Sequence, residues 1–120
     1  MLIYLVDDDP GNCDMYPQLW DSHDTRTFDS LFDAVGEKAP DLLIIDISAV
    51  CPLGDISHSA YSPICSYIDR FPHVPVHITS FVSSNSRQDV VDDVMQAMPD
   101  AIVTHGTLDR AEIRIKQLVA

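Results

Sequence analysis

The 120-residue chain is long enough for one domain with a real core and too short for a catalytic domain beside a substrate domain. Seven Lys and Arg stand against 19 Asp and Glu, a formal charge of -12 that repels phosphate backbones and anionic lipid surfaces, so direct nucleic-acid or membrane binding is not expected. Cys13, Cys51 and Cys65 cannot all pair with one another and match no zinc-ligand spacing, the N-terminus carries no basic signal region, and no apolar run approaches the ~20 residues of a membrane helix, all of which fits a reduced, cytoplasmic protein.

Leu2 to Val6 is a continuous apolar run that stops at Asp7, short enough for a strand and apolar on both faces, as a parallel sheet requires. Asp9 reads as a helix cap, and Pro17 as a residue that shortens the first helix. Thr25 to Phe28 predicts a short edge strand. Ser30 to Val35 follows as a short helix with Leu31, Phe32 and Val35 at helical spacing, capped by Asp29 and ended by Gly36. Asp41 to Asp46 repeats the pattern of the first strand. Residues 47 to 63, dense in Pro, Ser and Gly, predict a long loop.

Ser62-Pro63 is a helix start signal, after which Ile64, Tyr67, Ile68 and Phe71 share a face. Val74 to Thr79 and Ala101 to Thr104 are weaker strands. Ser86 to Met98 predicts a helix with Val90, Val91, Val94, Met95 and Met98, and Arg110 to Val119 one with Ile113, Ile115 and Leu118. Such alternation predicts an α/β domain over residues 1–120, with about five parallel strands, helices on both faces and functional groups at the strands' carboxyl ends.

Asp7 and Asp8 follow the first strand and Asp46 ends the third, so adjacent parallel strands would bring three carboxylates together. Two unit charges ~4 Å apart interact by about 4 kcal/mol at an effective dielectric near 20, which a buried cluster cannot ignore. A bound cation removes that repulsion, and magnesium suits hard oxygen ligands with retained waters. A single strand-end acid is an ordinary cap or solvated group; two after one strand and one after another are less easily dismissed.

Leu5-Val6-Asp7-Asp8-Asp9 and Pro40-Asp41-Leu42-Leu43-Ile44-Ile45-Asp46-Ile47 resemble the two best-marked motifs of response-regulator receiver domains, and the likeness spans nearly the whole chain. It implies a flavodoxin-like (βα)5 fold and a two-component signalling module rather than an enzyme. Asp7 and Asp8 would then hold Mg2+ with Asp46, and Asp46 would accept a phosphoryl group from a histidine kinase or phosphotransfer protein. Thr79 matches the hydroxyl residue that grips a phosphoryl oxygen, with Ser80 the small residue after it, although threonine is also an ordinary strand residue. Ser48 would offer its backbone carbonyl to the metal. A downstream protein, or a second copy of this chain, would read the phosphorylated surface.

The resemblance fails at the fifth strand. Receivers usually place a lysine and a proline there, whereas this chain reads Val103-Thr104-His105-Gly106. His105 stands in the lysine's position, either as a conditional cation or as a plain loop residue. The toggling aromatic of the family is replaced by Ile102, and the stretch after Asp46 lacks the usual Met-Pro pair. His23, His58, His73 and His77 share no ligand spacing, and Trp20 reads as core. Three functions remain in competition: a phosphoacceptor switch, a pseudo-receiver acting as an interaction module without phosphate, and a magnesium-dependent phosphohydrolase of the haloacid-dehalogenase type, which would use Asp7-Asp8-Asp9 but lacks a cap domain and a strand-end lysine.

Overall fold

Short runs rich in apolar residues over 2–6, 42–46 and 76–79 become strands and are separated along this chain by amphipathic stretches. The computed structural model describes residues 1–50, 61–79 and 84–119. The strands are β1 (Leu2–Val6), β2 (Asp24–Phe28), β3 (Leu42–Asp46), β4 (Val76–Thr79) and β5 (Val103–His105). The helices are α1 (Pro10–Leu19), α2 (Leu31–Val35), α3 (Ile47–Val50), α4 (Tyr61–Arg70), α5 (Ser84–Ala97) and α6 (Leu108–Val119). Every strand pair is parallel, and the order across the sheet is β2-β1-β3-β4-β5. Strand order reverses between β1 and β3, the place where open α/β sheets leave a crevice at their carboxyl ends.

Side chains of period two divide the core into two layers. Tyr4, Val6, Leu43, Ile45, Val76 and Ile78 pack with Leu31, Ala34, Ile64, Tyr67, Ile68, Val91 and Val94 of α2, α4 and α5. Ile3, Leu5, Leu42 and Ile44 pack on the opposite face with Tyr16, Trp20, Leu108, Ala111 and Ile115 of α1 and α6. The expected α/β sheet with helices on both faces is what forms, with the edge strand at β2 and Trp20 in the core. No helix among the described residues is long and apolar enough to cross a membrane.

Local details depart from the sequence expectations. Pro17 lies inside α1, which continues to Leu19; so near the helix end, its missing N–H affects only one carbonyl four residues back, and Gln18 Nε2 donates to the next, Asp14 O, at 3.0 Å. Ser30 rather than Asp29 occupies the N-cap position of α2. Phe32 is 79% exposed, because a five-residue helix that buries Leu31 and Ala34 turns Phe32 outward. Ile113 and Met95 are likewise about half exposed, while Ile115 and Val94 take the buried positions.

The predicted loop over 47 to 63 is narrower than expected: Ile47 and Ala49 are buried in α3, and α4 already begins at Tyr61. Residues 51–60, with Cys51 and His58, lie outside the described residues, as does Ser80, and the side chain of Val90 is not described. β5 begins at Val103 and includes His105, which pairs in register with Ile78; the Gly106 N–H then donates to Ile78 O at 3.1 Å and extends the ladder.

Tyr67 is 1% exposed, and its hydroxyl has no hydrogen-bond partner among the described residues. Burial, with a smaller contribution from the neighbouring Tyr4, pushes the phenol up to about 12. The folded state therefore holds this proton more tightly than the unfolded state, and stability falls as pH rises from about 10 through the folded value. Tyr67→Phe is expected to flatten that alkaline decline and to leave stability at neutral pH unchanged or higher by about 1 kcal/mol, since it removes an unsatisfied buried hydroxyl. Urea unfolding of both proteins at neutral and alkaline pH measures it.

Candidate metal centre

The crevice where strand order reverses is acidic. Asp7 follows β1 directly and is fully buried, and its N–H donates to Phe28 O at 3.0 Å, continuing the ladder to β2. Its carboxylate is oriented from both sides: Oδ1 accepts the Asp9 N–H at 2.8 Å and Oδ2 accepts Asn12 Nδ2 at 3.0 Å. Asp9 caps α1 by accepting the Gly11 N–H at 2.8 Å, the capping role expected from the sequence. Cys13, one turn on, donates its thiol to Asp7 O at 3.3 Å. Burial pushes that thiol up to about 11, with Asp7 adding to the shift, so it stays protonated at neutral pH.

Asp46 ends β3 at 1% exposure, and Asp8 is exposed at the mouth. Asp7, Asp8 and Asp46 each offer a carboxylate oxygen, and the three oxygens lie within 4.8 Å of one another. Burial raises the Asp7 carboxyl above its ordinary value, hydrogen bonds from Asp9 and Asn12 pull it down, and the Asp8 and Asp9 charges raise it again. Such a carboxylate is short of positive charge. The donor set fits a hard divalent cation: oxygens on an octahedral shell of radius about 2.1 Å lie at most about 4.2 Å apart. Exposed Asp8 can swing through the small remainder.

Thr79 ends β4 directly opposite Asp46 in the parallel register. It is 3% exposed, and its buried Oγ1 has no hydrogen-bond partner among the described residues. A buried hydroxyl left without an acceptor is destabilising unless something arrives to accept its proton. His105 ends β5, two strands from Asp46, and is exposed. Ser48 lies in α3, two residues after Asp46. The sequence reading missed Asn12, whose role is visible only once α1 folds back beside β1; an asparagine in the first turn after a capped strand-end acid was its one available signal.

The BeF3-activated receiver domain of DrrB superposes on this chain with a TM-score of 0.71 at 20% identity, covering 98% of this chain and 96% of that one. The fold is that of a receiver domain. The response regulator TrrA from Thermotoga maritima, in complex with Mg2+ and BeF, gives 0.71 at 16% identity over 98% and 97% of the two chains. A CheY-like receiver domain from Methanospirillum hungatei gives 0.66 at 13% identity over 98% and 92%. No family model matches the sequence, and no curated protein sequence does. The receiver fold is thus shared with proteins of 13–20% identity, and the acid cluster of this chain sits at the carboxyl ends of β1 and β3.

Proposed function

We propose that this chain is a response-regulator receiver domain that accepts a phosphoryl group on Asp46 from a histidine kinase or phosphotransfer protein, with Mg2+ held by Asp7, Asp8, Asp46 and the Ser48 carbonyl. The observation that carries the reading is the convergence of the Asp7, Asp8 and Asp46 oxygens within 4.8 Å, beside the Thr79 hydroxyl, which has no partner among the described residues. In this reading an Asp46 oxygen attacks phosphorus, an acyl phosphate forms, and the donor's nitrogen or oxygen departs with the bonding pair. Magnesium, when bound, would neutralise charge on the carboxylates and the incoming phosphoryl oxygens. Asn12 and the Asp9 N–H fix Asp7, and the Thr79 Oγ–H donates to a phosphoryl oxygen, shifting the β4 end and the surface a downstream protein or a second copy would read. That the solved TrrA holds Mg2+ and BeF lends support by analogy of fold.

The second reading, a pseudo-receiver that acts as an interaction module, is favoured by the exposed His105 in place of lysine. Two strand spacings separate β5 from β3, about 10 Å, a gap that a lysine arm spans better than an imidazole. Intact mass after incubation with a small phosphodonor separates the two: a gain of one phosphoryl group with magnesium and none with chelator supports the switch, and no gain in either supports the pseudo-receiver. His105→Lys is expected to raise the phosphorylated fraction, because a lysine ammonium is charged throughout the neutral range and its longer arm spans the gap to β3 better. Equal modification of both proteins would show that this position does not reach the phosphoryl group.

A further inference from the structure

On the face of the sheet covered by α6, β4 and β5 carry polar residues where β1 and β3 bury Ile and Leu. His77 and Thr104 are paired in register, and His77 Nδ1 lies 2.9 Å from Thr104 Oγ1. His77 is 2% exposed. A shallow cavity of about 140 Å³ opens beside them, walled by His105 and by Arg110, Ile113, Arg114 and Gln117 of α6. The spacing of those four residues places them on one helical face. The carboxylates of α6 lie elsewhere: Glu112 pairs with Lys116 at 3.7 Å, and Asp109 accepts the Tyr16 hydroxyl at 3.4 Å. Among the described residues no acid lines the cavity, although acids outnumber basic residues 19 to 7 in the chain.

Both arginines are held at this wall. The stem of Arg110 lies over Gly106, where a Cβ would come within 2.9 Å of Arg110 Cδ. Arg114 Nη1 donates to Gln117 Oε1 at 3.2 Å, while its buried Nε has no hydrogen-bond partner among the described residues. A buried guanidinium N–H without an acceptor is unfavourable, and a planar fork of donors matches an oxyanion.

We propose that this cavity binds a small phosphate-type oxyanion, with Arg110 and Arg114 as charged donors and Thr104 and Gln117 as neutral partners. The volume, about 140 Å³, admits an inorganic anion. The site is separate from the Asp46 cluster, which lies on β3 and repels anions without a metal, so it is tested in chelator, where its failure leaves the phosphoacceptor reading untouched. The full chain is titrated with inorganic phosphate at ionic strength held constant with sodium chloride, and backbone and arginine Nε–H resonances are followed by NMR. Saturable shifts are expected at Thr104, Gln117 and the Arg114 Nε–H. Arg114→Gln and Arg110→Gln should each weaken half-saturation about tenfold. Lys116→Gln, on another face of α6, should leave it unchanged. Shifts that fail to saturate, that chloride alone reproduces, or that persist with the same midpoint in both arginine variants would overturn the proposal.

Discussion

Asp46→Asn is expected to abolish the magnesium-dependent gain of one phosphoryl group in intact mass, while the variant folds as well as the parent. The amide has nearly the carboxylate's shape but is a poor nucleophile, so the acyl phosphate cannot form. Asp7 is no substitute acceptor, because both of its oxygens already accept hydrogen bonds, from the Asp9 N–H and from Asn12. Asp8 is exposed and lacks the facing threonine that Asp46 has in Thr79. Without metal the variant should melt no lower than the parent, because one charge has left a site where three carboxylates converge. A gain that persists in Asp46→Asn but disappears in Asp7→Asn would move the nucleophile to the end of β1, as the phosphohydrolase reading requires.

Ile45→Ala is expected to be the most damaging of the conservative core truncations, lowering stability by about 2–5 kcal/mol. Ile45 is fully buried on β3, which is hydrogen-bonded on both sides, and it packs in the larger of the two core layers. The surrounding sheet is tied by ladders to β1 and β4 and cannot collapse into the space, so the cavity persists. Against a total of about 5–15 kcal/mol for a domain of this size, the variant loses a large share of its stability. The urea midpoint should fall with an unchanged slope. Phe32→Ala, at a side chain 79% exposed, should stay within about 0.5 kcal/mol of the parent. An equal loss at both positions would mean that the α2 face is covered in solution.

Wherever one segment carries its own signal, the sequence alone determined the outcome. The apolar stretches over 2–6 and 42–45 read as buried strands, because each is short and apolar on both faces. Acids placed at the ends of such strands must meet once the strands are adjacent and parallel, and Asp7, Asp8 and Asp46 do. The cap at Asp9 was legible for the same local reason.

The tertiary structure decided what depends on partners distant in the chain. Periodicity counts Phe32 and Ile113 as core candidates, but which face of a short or half-covered helix turns inward is set by the sheet it rests on: Phe32 faces outward, and Ile113 stays 57% exposed at the cavity beside β4 and β5. His105 joined β5 because β4 offers Ile78 as its ladder partner, 27 residues earlier in the numbering of the paired positions His77 and Thr104. Asn12 became the clamp on Asp7 only when α1 folded beside β1. The basic wall of Arg110 and Arg114 around His77 and Thr104 exists only because α6 packs across β4 and β5, bringing scattered cations together in a chain whose composition alone predicts repulsion of every anion.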